Sequence, residues 1–184
     1  CSCGSTAQNA INAALAANAV VVVAAGNSNA DAITSTPGNC NGVITVAATG
    51  RAGQRASYSN FGPVVEISAP GGADGQYVLS TLNSSATSPD PAGYNYANYQ
   101  GTSMATPHVS GIASLMLSRN PALSPSQVLA KIQTTARAFP TGTSRDCTTQ
   151  LCGAGIIDAA AAVFSAGGVT TSTTTLAGSP NPAI

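Results

Sequence analysis

The 184 residues carry six basic and six acidic side chains, so no long-range field draws the chain to nucleic acid, an acidic partner or a membrane surface. Charged residues are only 7% of the sequence, against roughly 25% in an average domain, while the 43% hydrophobic share is ordinary and sufficient for one sizeable core. No signal peptide is recognisable, and no apolar run approaches the roughly 18 residues of a membrane-spanning helix.

In chain order, residues 6 to 18 place Ala7, Ile11, Ala14 and Leu15 on one face at helical spacing. Val20 to Ala25 follows, apolar and β-branched, in the manner of a strand buried on both faces of a parallel sheet. It ends at the loop signal Gly26-Asn27. A polar loop with Pro37-Gly38 and Asn41-Gly42 leads to a second strand, Val43 to Ala48; Val64 to Ala69 and Tyr77 to Leu82 are the third and fourth. Residues 83 to 100, rich in Ser, Asn, Pro and Tyr, read as an irregular surface loop. Residues 103 to 118 form the strongest helix, apolar nearly all round through Met104, Val109, Ile112, Ala113, Leu115 and Met116, a pattern that implies burial. Ser124-Pro125-Ser126-Gln127 is a capping box that opens another helix, and a last one runs from Asp158, its N-cap, to Phe164. Beyond Gly167 the chain has linker composition, so residues 1–167 are taken as one domain unit and 168–184 as a Ser/Thr/Pro-rich tail. Alternating strands and helices define an α/β fold with a mainly parallel sheet and helices on both faces.

Five cysteines (Cys1, Cys3, Cys40, Cys147 and Cys152) form no CxxC pair, and one histidine is too few for a Cys/His zinc site. Disulfides and an oxidising compartment are the better reading.

The chemistry concentrates in Gly101-Thr102-Ser103-Met104-Ala105-Thr106-Pro107-His108-Val109. Ser103 falls at a helix N-terminus, where unpaired N–H groups and the partial positive charge stabilise negative charge. Gly101 allows close approach of a substrate chain, and Pro107 is tolerable near the start of a helix. Spacing alone favours a plain N-cap serine; the wider pattern reverses that. Residues 101 to 111, GTSMATPHVSG, resemble the nucleophile motif of the subtilisin-like serine proteases, the subtilases. Val21 to Asn27 resembles the family strand that ends in an oxyanion-hole asparagine, and Val43–Ala48, Ala56–Gly62, Ile67–Gly71 and Gly153–Ala159 agree in order.

That resemblance implies a secreted, extracellular endopeptidase that hydrolyses protein or peptide substrates through an acyl-enzyme on Ser103. Asn27 and the Ser103 N–H would bind the oxyanion; in the related subtilisin, loss of that asparagine costs about 10²–10³ in kcat, a magnitude carried over from that enzyme. Ala24, Ala25 and Gly26 would line one wall of the substrate pocket, with its base near Ser35. His108 lies five residues after Ser103, which on a helix turns the two side chains about 140° apart and separates them by about 7.5 Å along the axis. It is therefore read as the family's buried structural histidine and not as the base. The family's Asp-Ser/Thr-Gly motif is absent as well: Asp31, Asp74, Asp90, Asp146 and Asp158 all precede other residues. Since the family order is Asp, His, Ser, both are expected upstream of Cys1, with the amino-terminal strands, in a segment separated by cleavage. The alternative is a catalytically inert fragment acting as a structural or binding piece. An α/β-hydrolase is excluded because position 105 of the required Gly-x-Ser-x-Gly is Ala and no histidine follows His108.

A short disulfide Cys147–Cys152 is feasible, and Cys3–Cys40 would close the loop around Asn27, stabilising by roughly 3–4 kcal/mol in the chain-entropy account; Cys1–Cys40 stays open as an alternative. The resemblance also allows structural calcium, for which the sequence offers no ligand cluster, and it requires no cofactor.

Overall fold

All six residues of β2 (Ile44–Thr49) are buried, and the other elements are arranged around this strand. The structure, a computed structural model, describes residues 2–167. β1 (Val22–Ala24) pairs parallel to one edge of β2 with Val22 opposite Ile44, and β3 (Ile67–Pro70) pairs parallel to the other with Val46 opposite Ile67. The order β1-β2-β3 carries helices on both faces, as parallel sheets require. On one face, α2 (Thr102–Arg119), α3 (Pro125–Thr134) and α5 (Ala159–Ser165) pack Val109, Met116, Val128, Ile132 and Ala162 against Val46 and Ile67. On the other, α1 (Ser5–Ala16) sets Ile11, Ala7 and Leu15 against Val21, Val23 and Val43.

Several expectations are met closely. α3 begins at a full capping box of Ser124 and Gln127 with Pro125 at its first position, and Asp158 accepts from Ala161 N to cap α5. Others are corrected. The Val20–Ala25 run is only half-buried along β1, because among the described residues that strand pairs with β2 alone. The expected surface loop at 83–100 contains a second strand: β4 (Val78–Asn83) and β5 (Tyr94–Tyr99) form an antiparallel hairpin, since the tyrosines of YNYANY favour an extended chain. A four-residue helix, α4 (Thr149–Cys152), was not foreseen. α2 is not buried all round: Leu115 is 57% exposed and His108 is exposed, at the margin of the stripe formed by Ala105, Val109, Ile112 and Met116. Pro107 is its sixth residue, beyond the first turn, and so withholds the N–H that would meet the Ser103 carbonyl.

Cys3 is joined to Cys40 and Cys147 to Cys152. Cys40 is thus occupied, which removes the Cys1–Cys40 alternative; Cys1 and the 168–184 tail lie outside the described residues.

The two faces of α2 make a measurable contrast. Met116→Ala removes a fully buried side chain and is expected to cost about 2–5 kcal/mol, whereas Leu115→Ala should stay within about 0.5 kcal/mol. Urea unfolding of both variants checks this; equal losses would contradict the packing described.

Candidate active site

β1 stops at Ala24 because Gly26, at φ 105°, turns the chain through a conformation that suits glycine. The turn delivers Asn27 to the N-terminus of α2. There the Asn27 Oδ1 accepts two hydrogen bonds from Thr102, one from the backbone N and one from Oγ1, each 2.9 Å long. A backbone N–H can only donate, which fixes the oxygen and nitrogen of this amide without ambiguity. The Thr102 hydroxyl in turn accepts from Gly26 N at 3.2 Å, so its sense is fixed too. Thr102 is fully buried while Asn27 is exposed.

With Oδ1 held from behind, the Asn27 Nδ2 is aimed forward. A methyl group placed on Gly101 would lie 3.5 Å from Asn27 Nδ2 and 3.6 Å from Ser103 N. One small volume above Gly101 is therefore bordered by both donors, and glycine leaves it free. Ser103 is the second residue of α2, where a backbone N–H has no intrahelical acceptor. Its side chain is exposed and borders an open depression with Val22, Val23, Ala24, Pro37 and Thr106. An atom that gains negative charge beside Ser103 thus meets an amide N–H, a backbone N–H and the positive end of an 18-residue helix.

The wall expected from Ala24, Ala25 and Gly26 is only partly side chain. Ala24 borders the depression, but Ala25 is fully buried and turns its methyl to Ala32, Ala47 and Val65, because successive strand residues face opposite ways. Ser35 sits behind the turn, its Oγ accepting from Asn60 Nδ2 at 2.8 Å.

Gly101 is itself braced. Its N donates to Gly71 O at 2.9 Å, and the Tyr58 hydroxyl reaches the carbonyls of Gly71 and Gly72. Burial pushes the Tyr58 phenol up to about 12, so near neutral pH it stays a protonated donor to these carbonyls. Thr102, Asn60 and Tyr58 all lie inside the motif segments quoted above, yet side-chain identity alone gave no sign of what they hold.

No described acid or histidine faces Ser103. His108, expected to be buried, is exposed at the margin of the buried stripe of α2; its Nδ1 donates to Met104 O at 2.8 Å. The acids are engaged elsewhere. Asp31, Asp90 and Asp158 cap short helices, and Glu66 accepts from Gln133 Nε2 at 2.6 Å. Asp74, held below the usual carboxylate range by Gln54 and then Arg145, pairs with Arg145 at 2.7 Å. Asp146 is lowered by its bonds from Thr143 and Gly142. Among the described residues no three His, Cys, Asp or Glu side chains are gathered in a group that could hold a metal ion. No helix of these residues is long and apolar enough to cross a membrane.

An exposed serine at the N-terminus of a helix packed on a parallel sheet, beside a strand-end amide, is an arrangement that serine hydrolases of α/β architecture use. The chain belongs to the subtilase family, whose peptidase S8 model matches residues 1–168. It is 50% identical over 166 residues to an extracellular protease of Xanthomonas campestris pv. campestris, covering 90% of this chain and 27% of that protein. It is 37% identical over 165 residues to an extracellular basic protease of Dichelobacter nodosus, covering 88% and 26%. Among solved structures, a protease of Pseudoalteromonas arctica superposes with a TM-score of 0.79 at 46% identity, over 90% of this chain and 48% of that one. The chain spans from about a quarter to about half of these relatives.

Thr102→Val keeps the side-chain shape but removes the hydroxyl, leaving Gly26 N–H without its acceptor. The expected loss is about 1–3 kcal/mol in denaturant unfolding, with Thr102→Ser close to the parent; an unchanged midpoint in Thr102→Val would show that the hydroxyl holds nothing.

Proposed function

We propose that this chain is the nucleophile-bearing part of a secreted serine endopeptidase of the subtilisin type. The observation that supports this most is the shared space above Gly101, faced by Asn27 Nδ2 and Ser103 N beside the exposed Ser103 side chain. In the proposed reaction a protein or peptide substrate lies along the depression by Ala24. Ser103 Oγ attacks the scissile carbonyl carbon, and its proton passes to a histidine. The carbonyl oxygen, now negative, moves into the space above Gly101 and takes hydrogen bonds from both donors. Collapse breaks the C–N bond, the histidine returns the proton to the leaving amine, and water then hydrolyses the acyl-Ser103 ester.

That histidine, and the aspartate that orients it, belong to a polypeptide segment outside these 184 residues. The assignment rests on His108 being the one histidine of the sequence and on the five-residue spacing that turns it about 140° from Ser103 on α2. β1, paired on one side only among the described residues, offers that segment an open strand edge. Residues 1–167 are then the carboxyl-terminal part of the catalytic domain, and 168–184 a tail that follows it. Two disulfides, together with two relatives named extracellular proteases, favour secretion into an oxidising environment. The reaction uses no cofactor.

An active-site-directed fluorophosphonate tests the reading. In the complete protease it is expected to attach stoichiometrically to Ser103, located by peptide mass mapping, while the isolated 184-residue chain reacts orders of magnitude more slowly for want of a base. Labelling of neither form would favour an inert fragment, and rapid labelling of the isolated chain would overturn the assignment of the base to another segment.

A further inference from the structure

Asn60 is 1% exposed, and its backbone N and both polar atoms of its side chain bond to the 25–35 segment that carries Asn27. Its backbone N donates to Gly26 O at 2.9 Å. Its Oδ1 accepts from Ser28 N at 2.9 Å and from Ala30 N at 3.1 Å. Its Nδ2 donates to Ala25 O at 2.9 Å and to Ser35 Oγ at 2.8 Å. One side chain thereby grips the turn on both sides of Asn27, the buried strand end before it, and Ser35 behind it.

Both functions of an amide are needed for this. The two loop N–H groups require an acceptor, and the Ala25 carbonyl requires a donor. A carboxylate, a hydroxyl or an aliphatic side chain of similar size meets only part of that demand in a site from which water is excluded. Asn27 itself is exposed, and among the described residues its side chain is anchored at Oδ1, by Thr102. The path of its backbone is therefore set by its neighbours, and Asn60 holds those on either side.

We infer that Asn60 is a positioning residue for the oxyanion donor: by fixing the 25–30 turn it sets where Asn27 Nδ2 points relative to Ser103. This rests on the proposed role of Asn27. The role predicts a kinetic signature that plain structural support lacks. A displacement of the donor by a fraction of an ångström weakens transition-state binding more than substrate binding, so kcat falls while KM holds.

The test is a double-mutant cycle in the complete protease, read with a peptide substrate. Asn60→Ala is expected to lower kcat by about 10- to 100-fold with little change in KM, and to have less than about a threefold effect when Asn27 is already Ala, because the donor it positions is gone. Ser35→Ala, which removes one of the four side-chain partners, provides the milder variant should Asn60→Ala fail to fold. It should lower kcat by about two- to tenfold, again only when Asn27 is present. Equal losses in both backgrounds would overturn the inference and leave Asn60 as general support. If Asn27→Ala alone leaves kcat unchanged, the oxyanion role of Asn27 falls first, and the inference with it.

Discussion

Two hydrogen bonds from Thr102 to the Asn27 Oδ1 join the end of a strand to the beginning of a helix, and the candidate site depends on that junction. An asparagine on an exposed turn would ordinarily sample several rotamers. Here its oxygen is held by a buried residue of α2, so the nitrogen has one direction left. The same Thr102 precedes Ser103, so Ser103 and the Asn27 amide are positioned by one point of attachment. In the proposed reaction the two donors would therefore be in place before charge develops.

The sheet supplies the rest of the geometry. β1, β2 and β3 run parallel, so their carboxyl ends gather at one edge of the sheet, and α2 lies across all three with its N-terminus at that edge. Helix N-termini and strand C-termini meet in this way wherever parallel strands are covered by helices, which is why such sheets place sites there. The Gly71–Gly101 contact, braced by Tyr58, sets the height of the helix start. On the far side, the Cys3–Cys40 bond ties the chain before α1 to the loop leading into β2.

Much of this was legible in the sequence because it rests on local rules. The Ser124 capping box, the Asp158 cap and the β2 run each depend on a few neighbouring residues, and all appear within a residue or two of their expected bounds. Ser103 and Asn27 were legible as motif positions. What was not legible depends on partners far along the chain. That Ala25 turns inward while Ala24 borders the depression follows from the register of β1 on β2. β4 was legible in the sequence as Tyr77–Leu82, but its partner β5 was hidden by its polar composition, since YNYANY lacks the apolar alternation that marks a half-buried strand. Leu115 was misjudged because a count of the apolar residues of α2 does not say which of them meet the sheet, and His108 because its burial was carried over from the family resemblance. Asn60 reads as a loop residue until the positions 25 to 35 that it binds are brought beside it.

The central claim is that Asn27 and the Ser103 backbone serve one oxyanion above Gly101. The most direct measurement is a crystal structure of the complete protease with a peptide aldehyde bound to Ser103. The account predicts a tetrahedral adduct whose oxygen lies within about 2.7–3.1 Å of both Asn27 Nδ2 and Ser103 N, with the Thr102 bonds to Asn27 intact. An adduct oxygen turned to solvent, or an Asn27 side chain released from Thr102, would contradict it.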